Sequence, residues 1–141
     1  MSISTVLLPL FVQVVLTLSL LLWLGILRRN DLRSGAVRAP EIALRQPNWP
    51  ARTQQVANCF SNQFELPVLF YVLTVLEIVT RQAGVLFVVL AWIFALARLA
   101  HAYEHTTRNF VMRRGALYGV SLFALIAMWL AFIVRILASG A

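Results

Sequence analysis

Asn58, Asn62 and Glu65 stand at i, i+4 and i+7 in the chain, with Gln55 three residues before the first of them. On a helix that spacing puts all four on one face. Arg98, His101 and His105 follow at i, i+3 and i+7, and Arg114 and Tyr118 are one helical turn apart. All of them lie in or beside apolar runs, where an ionisable group is expensive unless it is paired or hydrated. Together they offer an acid, amides, imidazoles, guanidinium groups and a phenol, a set that points to a ligand site. The plainer reading is that amides and histidines join helices without doing chemistry. In that reading Glu65 and Arg98, matched in depth, form a structural ion pair. The stripe runs on into Leu69 and Val72, so its polarity ends partway through the span. That describes a cavity entered from one membrane face, not a channel.

Other chemistry is poorly represented. The single cysteine, Cys59, excludes an internal disulfide and a cysteine-based metal cluster, and it reads as a packing residue. There is no glycine-rich phosphate loop, no metal-ligand motif and no Ser/His/Asp arrangement, so no metal is expected. Glu77 and Arg81, at i and i+4, read as a surface pair. Trp23, Trp49, Trp92 and Trp129 read as interface anchors or packing residues.

The elements that must position these residues are hydrophobic helices. Of 141 residues, 61% are hydrophobic and 12% charged, and the mean hydropathy is +0.83. A soluble domain has about 25% charged residues; here lipid must be the solvent for most of the surface. The composition gives an all-α membrane protein, one domain over residues 1–141, with spans at about 5–27, 53–79, 85–105 and 115–137. The first run has no basic segment before it and no small-residue cleavage site after it, so it reads as a retained span rather than a signal peptide. Pro40, Pro47 and Pro50 forbid a continuous helix through the polar connection 28–52, and Pro67 predicts a kink just after Glu65.

The net charge of +7 comes from arginine alone. These arginines are distributed as a topology signal and not as a nucleic-acid surface, so no nucleic-acid partner is expected. Arg28, Arg29, Arg33, Arg38, Arg45 and Arg52 lie in the first loop, and Arg108, Arg113 and Arg114 in the third. The second loop has only Arg81, and the N-terminal tail has no charged side chain. The positive-inside rule makes loops 28–52 and 104–114 cytoplasmic, with both termini on the opposite side.

The stretches NCFSNQFELPVLFY (Asn58 to Tyr71), ARLAHAYEH (Ala97 to His105) and RRGALYG (Arg113 to Gly119) resemble the MAPEG family, the membrane-associated proteins in eicosanoid and glutathione metabolism. The resemblance spans nearly the whole chain. It implies a four-helix bundle assembled as a homotrimer, with glutathione as cosubstrate bound between subunits and opening to the cytoplasm. It also implies that Asn62 and Glu65 hold the glutathione peptide, with His101, His105 and Tyr118 in the same site, and that Arg114 is the catalytic residue facing the sulfur. Arg28 or Arg29 stands near a family arginine at the end of span one. Where glutathione-using members carry arginines before the span-two asparagine, this chain has Asn58 and Ser61. The family tyrosine of span three is His105, and Gly115 follows the thiolate arginine. Glutathione carboxylates favour bidentate arginine, so their recognition would fall to Arg52 and Arg98 if the helices bring them in.

The leading expectation is therefore a glutathione-dependent transferase or peroxidase-like enzyme of a bacterial-type inner membrane, acting on lipophilic electrophiles from the bilayer. The alternatives are a non-catalytic scaffold or accessory subunit of the same fold, and a lipid- or quinone-binding protein. Four short spans and a stripe that stops partway argue against a transporter.

Overall fold

The computed structural model describes residues 2–44 and 48–139; Arg45 and Pro47, noted above in the first loop, lie outside the described residues. The described residues form five helices and two short 3-10 turns: α1 (Ile3–Arg33), a turn at Ala39–Glu41, α2 (Ala51–Ser61), a turn at Asn62–Phe64, α3 (Leu66–Val79), α4 (Val85–Thr106) and α5 (Val111–Ser139). No strand occurs among the described residues. Counting α2 and α3 as one interrupted span, four helices among the described residues are long and apolar enough to cross a membrane. The chain is an integral membrane protein with an all-helical fold.

The first span is longer than the sequence suggests. Arg28 and Arg29 do not stop α1, which continues to Arg33 because no breaker intervenes before Gly35. Its 31 residues rise about 46 Å at 1.5 Å each, beyond a hydrocarbon core of about 30 Å. The helix closes with Gly35 at φ 74°, where the amides of Gly35 and Ala36 bond back to Leu32 and Asp31. This is the left-handed termination that glycine makes inexpensive.

The core lies among α3, α4 and α5. Leu66, Phe70 and Leu73 pack with Phe87, Ala91 and Phe94 and with Leu125, Met128 and Phe132. Phe70 and Phe94 stack with ring centroids 4.6 Å apart. Outward-facing Leu22, Phe123 and Leu137 remain largely exposed, as lipid-facing residues should.

The second span breaks where its chemistry lies. Pro67 has no amide hydrogen to return to Gln63, so α2 tightens into a 3-10 turn and α3 starts afresh after Glu65. Broken backbone at membrane depth must find other partners. The Gln63 amide nitrogen donates to the Cys59 carbonyl at 3.0 Å, and Gln13 of α1 donates to Gln63 Oε1 at 2.7 Å. Gln13 and Gln63 are both buried.

Candidate functional site

The break also separates the polar stripe into parts. Gln55 donates to the His105 carbonyl at 2.7 Å and to that of Thr107 at 3.3 Å, joining α2 to the end of α4. Asn58 instead accepts from Gln54 and lines a cavity of about 520 Å³ between α1 and α2, together with Arg28, Trp49 and Ser61. Arg28 lies 5.0 Å over the Trp49 ring, and both line the cavity. Asn62 turns toward α4, and Glu65 toward α5. The single face expected for these four residues is thus divided: Gln55 and Asn58, both on regular α2, meet different neighbours, and the 3-10 turn after α2 redirects Glu65.

On the α4–α5 side, several of the expected residues do meet. Arg98, fully buried, donates through one terminal nitrogen to the Asn62 carbonyl at 3.0 Å and to Asn62 Oδ1 at 2.7 Å. Asn62 Nδ2 donates to Glu65 Oε2 at 3.3 Å, and the Tyr118 hydroxyl donates to the same oxygen at 3.2 Å. The Arg98 guanidinium lies 5.8 Å from the Tyr118 ring centre. His101 Nδ1 is 3.0 Å from the Arg114 carbonyl, and its ring stands 5.8 Å from that of Tyr118 and 5.5 Å from that of His105. His101 and His105 are buried.

Two expected pairs are corrected. Glu65 and Arg98 make no ion pair among the described residues, because Asn62 lies between them and bonds to both. Glu77 does not pair with Arg81 at the surface. It is fully buried and contacts Arg135 of α5 at 2.6 Å, while Arg81 takes a left-handed conformation in the turn. Arg135 also donates to the carbonyls of Gln82 and Ala131, so α3, the turn and α5 are tied together. Arg135 was legible as an ionisable residue in an apolar run; what the linear spacing concealed was its depth match to Glu77. Gln13 carried the same signal, a lone amide in the first span.

Both arginines expected to take up ligand carboxylates make contacts inside the subunit, and Arg98 keeps Nε and Nη1 buried without a hydrogen-bond partner among the described residues. Arg52 lies 4.9 Å over Trp23 and donates to the Thr106 carbonyl at the end of α4, while Arg98 is held by Asn62. The Arg114 guanidinium donates to Asn109 in the α4–α5 connection at 2.5 Å. Among the described residues no group of three or more His, Cys, Asp or Glu is placed to hold a metal ion.

A sequence model of the MAPEG family matches residues 6–134. The chain belongs to the MAPEG family. That makes it a membrane protein of the glutathione and eicosanoid metabolism kind, and members of the family generally use glutathione as a substrate. No curated protein and no solved structure matches the chain.

Proposed function

We propose that this MAPEG protein is a glutathione-dependent transferase or peroxidase-like enzyme acting on lipophilic electrophiles that enter from the bilayer. The observation that carries the reading is Glu65. Its carboxylate takes two donors on Oε2, from Asn62 and Tyr118, and faces outward from the subunit within a membrane-spanning segment. An exposed acid at that depth calls for a cationic partner, and the α-ammonium of glutathione, bound between subunits of a homotrimer, suits it. Arg114, one turn before Tyr118 on α5, would leave Asn109 and hold the thiolate, since a nearby guanidinium favours the charged form of a thiol. In conjugation, the thiol proton goes to solvent and the sulfur electron pair forms a bond to the electrophilic carbon, which expels a leaving group or opens a ring. Asn62, His101 and His105 would position the peptide.

A second reading, a non-catalytic accessory subunit, has one observation in its favour. Asn58 and Ser61 lack guanidinium groups, and Arg52 and Arg98 are engaged within the subunit. Calorimetric titration of the detergent-purified protein with glutathione separates the two. The enzyme reading expects binding, weakened by Glu65→Gln by about 1.5–3 kcal/mol, the range for a charge-assisted hydrogen bond. Absence of binding by the unmodified protein would favour the accessory role.

The reading includes a bacterial-type inner membrane with loops 28–52 and 104–114 cytoplasmic. It is supported by the arginine asymmetry. Cysteines placed at Ser34 and Asn109 in a Cys59-free background should resist an impermeant thiol reagent in intact cells; labelling at both would reverse the orientation. Native mass spectrometry in mild detergent tests the trimer, and a monomer alone would oppose it.

A further inference from the structure

We propose that Arg98 is a positioning residue for the Glu65 site and acts through Asn62 rather than by contact. The proposal rests on the reading of Glu65 as the acid that anchors the ligand. Arginine carries donors only, so its bond to the Asn62 side chain fixes which way that amide faces: oxygen toward Arg98, nitrogen toward Glu65. With the orientation fixed, Asn62 Nδ2 and the Tyr118 hydroxyl both fall on Glu65 Oε2, and among the described residues no donor meets Oε1. The carboxylate is held by one oxygen and offers the other to a ligand cation.

The same guanidinium nitrogen bonds the backbone carbonyl of Asn62, at the point where α2 gives way to the 3-10 turn. Carbonyls at a helix end lack intrahelical partners, and a cation there also meets the negative end of the helix dipole. Arg98 therefore sets both the side chain of Asn62 and the position of the break that presents Glu65. Direct pairing would serve this purpose worse. A guanidinium in contact with Glu65 would compete with the ligand cation for the carboxylate, whereas an interposed asparagine transmits the orientation and leaves Oε1 open.

A thermal triple-mutant cycle in detergent tests the relay without any ligand. Arg98→Met, Glu65→Gln and their combination are compared in the native chain and in an Asn62→Ala background. The relay predicts that the two Tm losses are non-additive with Asn62 present and additive without it. Additivity in both backgrounds, or equal coupling in both, overturns the proposal. As a second variant that retains the buried charge, Arg98→Lys carries a shorter, unbranched side chain whose ammonium stops short of the nitrogen that bonds both Asn62 acceptors. Its glutathione Kd should rise about tenfold, equivalent to about 1.4 kcal/mol, with Tm close to that of the unmodified protein. An unchanged Kd for a variant whose parent binds glutathione also overturns the relay. If the parent itself binds no glutathione, the functional reading fails, and the thermal cycle still decides the relay.

Discussion

Two arginines of the bundle meet their acids in opposite ways. At the end of the bundle nearer the second loop, Arg135 contacts Glu77 directly at 2.6 Å and spends its other nitrogens on the carbonyls of Gln82 and Ala131. At the other end Arg98 faces Glu65 across Asn62, and the acid keeps an open oxygen. The first arrangement leaves the guanidinium committed on all sides, as a structural lock would. The second holds an acid in place without using it up, as a binding site needs. Burial follows the same division: Glu77 is sealed and Glu65 is exposed on the subunit surface. An ionisable residue in a span is thus a starting point for a functional reading, and its partners decide the role.

The largest effect should come from breaking the lock. Arg135→Met leaves Glu77 buried without its cation and should cost about 3–5 kcal/mol of stability, the range for removing one partner of a buried pair. Combining it with Glu77→Leu should recover much of the loss. Thermal unfolding in detergent reads both, while glutathione affinity of the folded protein stays unchanged. Loss of affinity in step with stability would show that the two ends are not independent.

A smaller effect, on binding instead of stability, is expected from Tyr118→Phe. It removes one of the two donors to Glu65 Oε2 and should weaken glutathione binding by about 1 kcal/mol, several-fold in Kd. A variant that binds as before would mean that Asn62 alone orients the acid.

The smallest effect belongs to a pair in the first loop that differs from both. Arg38 and Glu41 are 2.6 Å apart on the surface, and the Arg38 backbone amide also donates to Glu41 at 3.1 Å. The backbone and side-chain bonds from Arg38 hold the Glu41 carboxyl below its ordinary value of 4.5. A lowered folded-state value means a contribution present above the unfolded value and lost as pH falls through the folded one. In Arg38→Ala the Glu41 titration, followed by NMR, should move up toward 4.5 with little change in Tm at neutral pH, as exposed pairs contribute little. A titration midpoint unmoved by the variant would mean that the pair does not persist in solution.

Much of the fold was legible in order along the chain. The apolar runs establish a membrane-spanning helical protein and its span count, and the arginine-rich first and third loops mark the connections between spans. Pro67 announced a break near Glu65 because a residue without an amide hydrogen cannot continue the helical ladder in either context. Asn62, Glu65, Arg98, His101 and Tyr118 were recognisable as candidates because polar groups inside apolar runs are costly, whatever the fold around them.

What the chain order could not convey was which of these groups touch. Helical spacing places Glu77 beside Arg81 and lines up Gln55, Asn58, Asn62 and Glu65, yet Arg81 sits in a left-handed turn, the 3-10 turn at Asn62–Phe64 redirects Glu65, and Gln55 and Asn58 meet different neighbours on α2. Arg135 reaches Glu77 across 58 residues, and Arg98 reaches Asn62 across 36. Pairings of that kind depend on crossing angles and relative depths of separate helices, set by how Phe70, Phe94 and Met128 pack together. Residue types determined that charges would have to be satisfied inside the bundle, because the bilayer offers them no water. Only the packing of the helices decided that one acid is locked and the other left available.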